Sequence, residues 1–295
     1  MTEVARNDRR ISEMKRIALI IVLVLTAVAC HGQAKRAAVD YVTTPEDRAL
    51  AETVLAGLKA HVSDEPGAQM VRAAEALLGQ PYVAGTLEEL PEEKLCVYLT
   101  RTDCILFVET CLGLVRTARQ EGDFETLASE LLQSRYRGGV CSRYEDRLHY
   151  TTEWARQGVT RGVLEDMSEA LGGVRYDHPV HYMSMHPDAY ARMTDVDAIK
   201  AAEGRINAVP SAYIPKSVVK KALGGIRNGD IILFTTTVDG LDVSHCAIAK
   251  VDAGKPVRFI HASTGAKKVI LEPRTLEEYV TGRKAVTGIQ VYRVR

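Results

Sequence analysis

The apolar residues change period at Gly224, and that change limits the fold more than any other feature of the chain. Beyond it they come in short runs separated by turn residues. Asp230–Phe234, His245–Val251, Val257–His261, Val269–Glu272 and Gly288–Arg293 read as strands, with Val238-Asp239-Gly240 as a hairpin signal. Before it the spacing is mostly helical. Thr44-Pro45-Glu46-Asp47 is a helix start, with a capping threonine, proline in the first helical position and acids in the first turn. That helix extends to about Val62, with Leu50, Val54, Leu55 and Leu58 on one face. Further helices are expected over Ala68–Leu78, Phe124–Ser134 and Thr194–Arg205, an amphipathic segment over Gly158–Leu171, and a short helix over Ser217–Leu223. Leu95–Leu99 reads as a strand and His178–Met185 as extended. Helices followed by strands predict an α+β domain in which N-terminal helices pack on an antiparallel sheet.

The ends and the charge balance narrow the setting. Met14-Lys15-Arg16 precedes a short apolar run, Ile17 to Ala29, that ends in small residues and Cys30, the pattern of an export signal. Ala29-Cys30 resembles a lipobox, which would make Cys30 an acylated N-terminus. Ala27-Val28-Ala29 also reads as a signal-peptidase site. The expected organisation is a signal over 1–30, a tether over 31–43 and one catalytic domain over 44–295. The expected location is the periplasm or the outer membrane, with membrane contact only through a lipid at Cys30. The 38 basic and 38 acidic residues cancel, which argues against a nucleic-acid partner. The remaining cysteines are Cys96, Cys104, Cys111, Cys141 and Cys246. Their number is odd, so at least one stays unpaired within the chain.

One helix start carries chemistry. In Thr102-Asp103-Cys104-Ile105-Leu106-Phe107-Val108, residues that cap helices precede a thiol in the first turn. The positive end of the helix dipole favours a thiolate there. A cysteine nucleophile needs a base and an orienting partner for that base. His245 opens one strand and His261 closes the next, and adjacent antiparallel strands can bring the two side by side. The grouping Cys104–His245–His261 follows, with no metal or other cofactor. His178, His181 and His186, with Asp177 and Asp188 nearby, suggest a rival zinc site, but their spacing matches no zinc signature and Pro179 and Pro187 suggest a loop.

Asp103-Cys104 with Phe107-Val108, the preceding Gly79-Gln80-Pro81-Tyr82-Val83-Ala84-Gly85, the strand Asn228-Gly229-Asp230-Ile231-Ile232-Leu233-Phe234 and Ser244-His245 together resemble the NlpC family of papain-like cell-wall hydrolases, over roughly Ala68 to Arg295. The resemblance implies a papain-like core, with Cys104 as nucleophile, His245 as base, His261 orienting it and Tyr82 near the oxyanion. A long helical and loop insertion separates Cys104 from His245. Its Cys141-Ser142-Arg143, Leu148-His149-Tyr150 with Trp154, Tyr182-Met183-Ser184 and Tyr213-Ile214-Pro215-Lys216 resemble an N-acetylmuramoyl-L-alanine amidase branch. That implies a muropeptide substrate cut between the lactyl group and L-alanine. Within the insertion, His149, Tyr150, Trp154 and Ser184 are of residue types that suit the lining of its groove. A γ-D-glutamyl endopeptidase with the same three residues, and a lipoprotein that only binds wall peptide, are the alternatives.

Overall fold

A computed structural model describes residues 39–295. The signal segment, Cys30 and the tether up to residue 38 lie outside the described residues. Tyr41–Val42 (β1), at the end of the expected tether, pairs in parallel with Leu95–Cys96 (β2). Among the described residues no helix is long and apolar enough to cross a membrane.

The N-terminal helices form as their caps dictate. Thr44 accepts from the Asp47 N–H and opens Pro45–Lys59 (α1). Asp47 then reaches outward. Its Oδ1 accepts from the Leu99 and Thr100 N–H groups, both at 2.7 Å. Those amides are thereby taken from any strand ladder, and the expected strand over Leu95–Leu99 is only the two residues of β2. Pro66–Ala76 (α2) follows. It leads to Cys104–Arg119 (α3), which is buried on nearly every side and packs against α1, α2 and Phe124–Arg135 (α4).

The insertion departs from expectation. Thr151–Thr160 (α5) ends within the predicted amphipathic segment Gly158–Leu171, and Leu164–Asp166 (β3) follows. A side chain at Gly158 would meet Leu164, and Gly162 has φ +70°, so the chain turns back there. Val174–Tyr176 (β4) and Ser211–Pro215 (β5) are also strands. Within the expected extended segment, Tyr182–Met185 (α6) is a helical turn. Val196–Asn207 (α7) is capped by Asp195 through the Ala198 N–H. The insertion is therefore more than helix and loop, because three of its strands join the main sheet.

That sheet continues with Val219–Ala222 (α8) leading into Ile231–Thr236 (β6), Val243–Lys250 (β7), Arg258–Ser263 (β8), Lys268–Leu271 (β9), Leu276–Thr281 (α9) and Val286–Val294 (β10). Its order is β4-β5-β10-β6-β7-β8-β9, with β3 also on β10, and every pairing is antiparallel. The helix α9, between two expected strands, has a capping box at Thr275 and Glu278. Asn228-Gly229-Asp230 has a structural task. Gly229 has φ +82° and lies against Gly67 at the start of α2, too close for any side chain, and Asp230 pairs with Arg293 on β10 at 2.8 Å.

Two apolar layers result. One sheet face buries Phe234, Ala247, Phe259 and Val291 against α9, with Leu276 and Tyr279. The helices α2 and α3 pack on β7 and β8. Each large apolar side chain so buried contributes roughly 1.5–3 kcal/mol, enough to fix the start of α3 against the sheet.

Candidate active site

Cys104 is the first residue of α3, and Asp103 is its N-cap, accepting from the Leu106 N–H at 2.9 Å. The loop before it is stitched on both sides. The Val83 N–H donates to Thr102 O at 2.9 Å and the Thr102 N–H to Pro81 O at 3.0 Å. The Tyr82 N–H donates to Lys267 O at 3.0 Å, beside β9. Gly79 and Gly85 take positive φ at the two ends of this loop. The glycines and proline of the sequence therefore hold Tyr82 next to the thiol. Burial, then the charges of Cys104 and Asp103, push the Tyr82 phenol up to about 12, so it remains a hydrogen-bond donor at neutral pH.

The two histidines meet as the strand pattern requires. His245 Nε2 lies 2.7 Å from His261 Nδ1. His245 stacks on Phe234, its partner across the β6–β7 ladder, at a ring separation of 5.7 Å. His261 is buried. Burial, and next the charge of His245, push it down to about 4, so it is neutral at pH 7.

Cys104 is partly exposed. A hydrogen bond from the Cys246 thiol, opposed by burial and reinforced by a hydrogen bond and the charge of His245, holds its thiol well below the ordinary range. The Cys246 backbone N–H adds another bond to the same sulfur. Burial and the Cys104 charge push Cys246 itself well up. A thiolate, a histidine and a second thiol as donor thus share one corner. Asp103 opposes this ionisation, and burial followed by the Cys104 charge raises its carboxyl to about 7.

Two members of this corner carry no local sequence signal. Glu272, just past β9, places Oε2 3.2 Å from His261 Nε2. His261 pairs with Ile270 across β8 and β9, so Glu272 is its diagonal neighbour on the same face. An acid at a strand end signals this role only once the register is known. Cys246 reads from sequence as an apolar strand residue.

The insertion residues divide into two groups. A cavity of about 170 Å³ beside the start of α3 is lined by Asp103, Ile105, Glu109, Arg147, His149 and Trp154, among others. His149 Nε2 is 2.9 Å from Tyr144 O, and burial pushes this ring down to about 4. Trp154 is buried and donates to Ser134 Oγ at 3.0 Å. Tyr150 and Ser184 do not line this cavity. The Tyr150 hydroxyl donates to Glu203 at 2.8 Å and accepts from the Met183 N–H. The Ser184 N–H donates to the same Glu203 oxygen. Tyr150 belongs to a satellite core with Val180, Ile199 and Ile206. The polar groups of Tyr150 and Ser184 hold α6 to α7 instead of facing Cys104.

His178, His181 and His186 each bond a separate partner: Val238 O, Asp239 and Tyr182 O. A larger open groove of about 460 Å³ lies along β4 and β5 and contains none of the Cys104 group.

Residues 72–289 match the family model described as AmiA-like, N-acetylmuramoyl-L-alanine amidase-like. Among solved structures, the chain resembles an N-acetylmuramoyl-L-alanine amidase from Bacteroides uniformis ATCC 8492, at 32% identity and a TM-score of 0.73, over 79% of this chain and 100% of that one. It also resembles a Bacteroides fragilis protein provisionally named a xylanase, at 34% identity and a TM-score of 0.70, over 75% of this chain and 99% of that one. Protein LPG0564 from Legionella pneumophila shares the fold at 17% identity and a TM-score of 0.66, over 84% of this chain and 94% of that one. No curated protein matches.

Proposed function

The chain belongs to the N-acetylmuramoyl-L-alanine amidase-like family, and from that premise we propose that it is a cysteine-dependent amidase that cuts the lactyl–L-alanine bond of peptidoglycan-derived muropeptides. The observation that carries this reading is the line from Cys104, at the start of α3, through His245 to His261. A helix-borne thiol facing a histidine on a packed sheet also supports the papain-like, NlpC-type assignment.

The Cys104 thiolate attacks the lactyl carbonyl carbon. The carbonyl π electrons move to oxygen, where the Cys104 backbone N–H and the Tyr82 hydroxyl can donate. Such donors are worth about 2.7–4 kcal/mol each in related acyl transfers. The first N–H groups of a helix have no intrahelical partner, so the Cys104 N–H is free for this task. His245 gives its proton to the departing L-alanine nitrogen. The stem peptide leaves and a thioester forms on Cys104. Water, deprotonated by His245, then attacks the thioester, releases the muramic acid carboxylate and regenerates the thiolate. The cavity beside Asp103, with His149 and Trp154 in its wall, is the natural place for groups flanking the cut bond.

The basic start, short apolar run and small residues before Cys30 support export, with a lipid on Cys30. Radiolabelled palmitate incorporated by the native chain and lost in Cys30→Ser tests that anchor.

The reaction itself is tested by mass spectrometry of a muropeptide mixture incubated with the chain from Gln33 onward, beside Cys104→Ala. The expected product is an intact stem peptide beginning at L-alanine. An L-alanyl-D-glutamate dipeptide would move the cut to the γ-D-glutamyl bond. No cleavage by either protein would overturn the enzymatic reading.

A further inference from the structure

We propose that Glu272 is a positioning residue that fixes which nitrogens of His261 and His245 carry protons, and so holds Cys104 as a thiolate facing an imidazolium; this rests on Cys104 being the nucleophile.

The two oxygens of Glu272 have separate partners. Oε1 accepts from Arg274 Nε at 2.7 Å and from the Arg274 N–H at 3.3 Å. Oε2 faces His261 Nε2 at 3.2 Å. Glu272 is 3% exposed; burial opposes its charge, but the hydrogen bonds and charge of Arg274 outweigh it and keep the carboxyl below its ordinary range. An ionised carboxylate only accepts hydrogen bonds, so His261 Nε2 must carry a proton. His261 is neutral, so its other nitrogen, Nδ1, is a bare acceptor. That acceptor lies 2.7 Å from His245 Nε2, which must therefore donate. With Nε2 committed, the second proton of His245 has only Nδ1 to occupy, and Cys104 accepts from that ring. One buried acid thus sets the direction of two hydrogen bonds by a rule of donors and acceptors, not by distance-dependent charge.

The sheet makes this geometry. His261 and Glu272 are diagonal neighbours across β8 and β9. Continued from its Ile248–Ile260 pair, the β7–β8 register sets His245 and His261 on the same face. The three side chains step across three strands toward the start of α3. Other ionisable groups surround them. Tyr82, Asp103 and Cys246 face the sulfur. Tyr279 and Arg283 flank His261 from α9 and the turn after it. None of these bonds either ring nitrogen that joins the two histidines.

The test needs no muropeptide, so it stands apart from the choice of cut site. In the full chain in detergent, Cys104 alkylation by iodoacetamide is followed against pH and scored by peptide mass spectrometry. In Glu272→Gln, Arg274 claims the amide oxygen, and the NH₂ group then faces His261 Nε2. His261 must move its proton to Nδ1, and His245 Nε2 can no longer donate. The expected result is an upward shift of about one pH unit in the thiolate midpoint, or about tenfold slower alkylation below it, with the melting temperature little changed. Adding Arg274→Ala frees the amide to turn its oxygen to His261, and the double variant recovers part of the shift. A merely structural role for Glu272 would lower stability and produce neither the shift nor the recovery. An unchanged midpoint in folded Glu272→Gln, or a double variant no closer to the native protein, overturns the proposal. Histidine ¹⁵N NMR of the native chain decides the matter without any variant. His261 protonated on Nε2 is the expected state, and protonation on Nδ1 overturns the proposal.

Discussion

The first turn and the middle of α3 hold the same side chain in opposite chemical states. Cys104 and Cys111 are two turns apart, about 10 Å along the axis. Cys111 is fully buried, and burial alone pushes its thiol far above the ordinary range. Cys104 also loses water, yet its thiol is held well below that range by Cys246 and His245. Burial by itself makes a cysteine inert. Burial beside the Cys246 thiol and His245, at the positive end of a helix, favours the thiolate, the state that the proposed nucleophile needs. The helix supplies the position, and the sheet supplies the donors.

The largest expected effect separates the two thiols outright. Cys104→Ala should lower muropeptide turnover by about 10⁴-fold or more, with its melting curve retained. Cys111→Ala should leave kcat/KM within about twofold while costing about 1 kcal/mol of stability, as expected for a small buried group. Equal losses of activity in the two variants would break the comparison.

Alkylation sharpens it without substrate. Cys104 should react with iodoacetamide at pH values well below the ordinary thiol range, because its folded-state value is depressed and the thiolate persists as pH falls. Cys111 should react only after unfolding. Removing the thiol donor in Cys246→Ala should raise the Cys104 midpoint by about one pH unit, about tenfold in rate on the acid side. An unmoved midpoint would assign the activation to His245 and the helix alone.

The last effect concerns stability, not reactivity, and it lies in the cap. Asp103 is raised to about 7 in the fold, by burial and then by Cys104. A carboxyl so raised favours the folded state at low pH, and that contribution is lost as pH rises through about 7. Asp103→Asn keeps a good cap and removes this loss. The variant should therefore gain in melting temperature on the native protein as pH rises from about 4 to about 8. The reverse trend in thermal scans across that range would show that the carboxylate is stabilised by its cap bond more than it is opposed by Cys104.

Much of the site is legible in the sequence because it depends on neighbours close along the chain. The cap at Asp103, the thiol behind it, and the glycines and proline around Tyr82 are local signals, and the structure puts these elements together. His245 and His261 are legible because a strand that begins with one histidine is followed by a strand that ends with the other. The insertion is less so. Leu164–Asp166 and Val174–Tyr176 are too short to show a period, and they are strands because β10 and β5 present free ladder edges to them. Tyr150 and Ser184 resemble groove residues by type, yet Glu203 on α7 engages both.

Local residue patterns are enough to place the start of a helix, the cysteine that stands there, and two histidines on successive strands. The neighbourhood of Cys246 and Cys104, and the position of Glu272 at the end of the histidine pair, arise only when helix and sheet pack together. The reason is physical. Caps and turns act over three or four residues, whereas these contacts depend on strand register and on how one helix end meets a sheet, and a shift of one residue in the ladder would turn Glu272 to the opposite face.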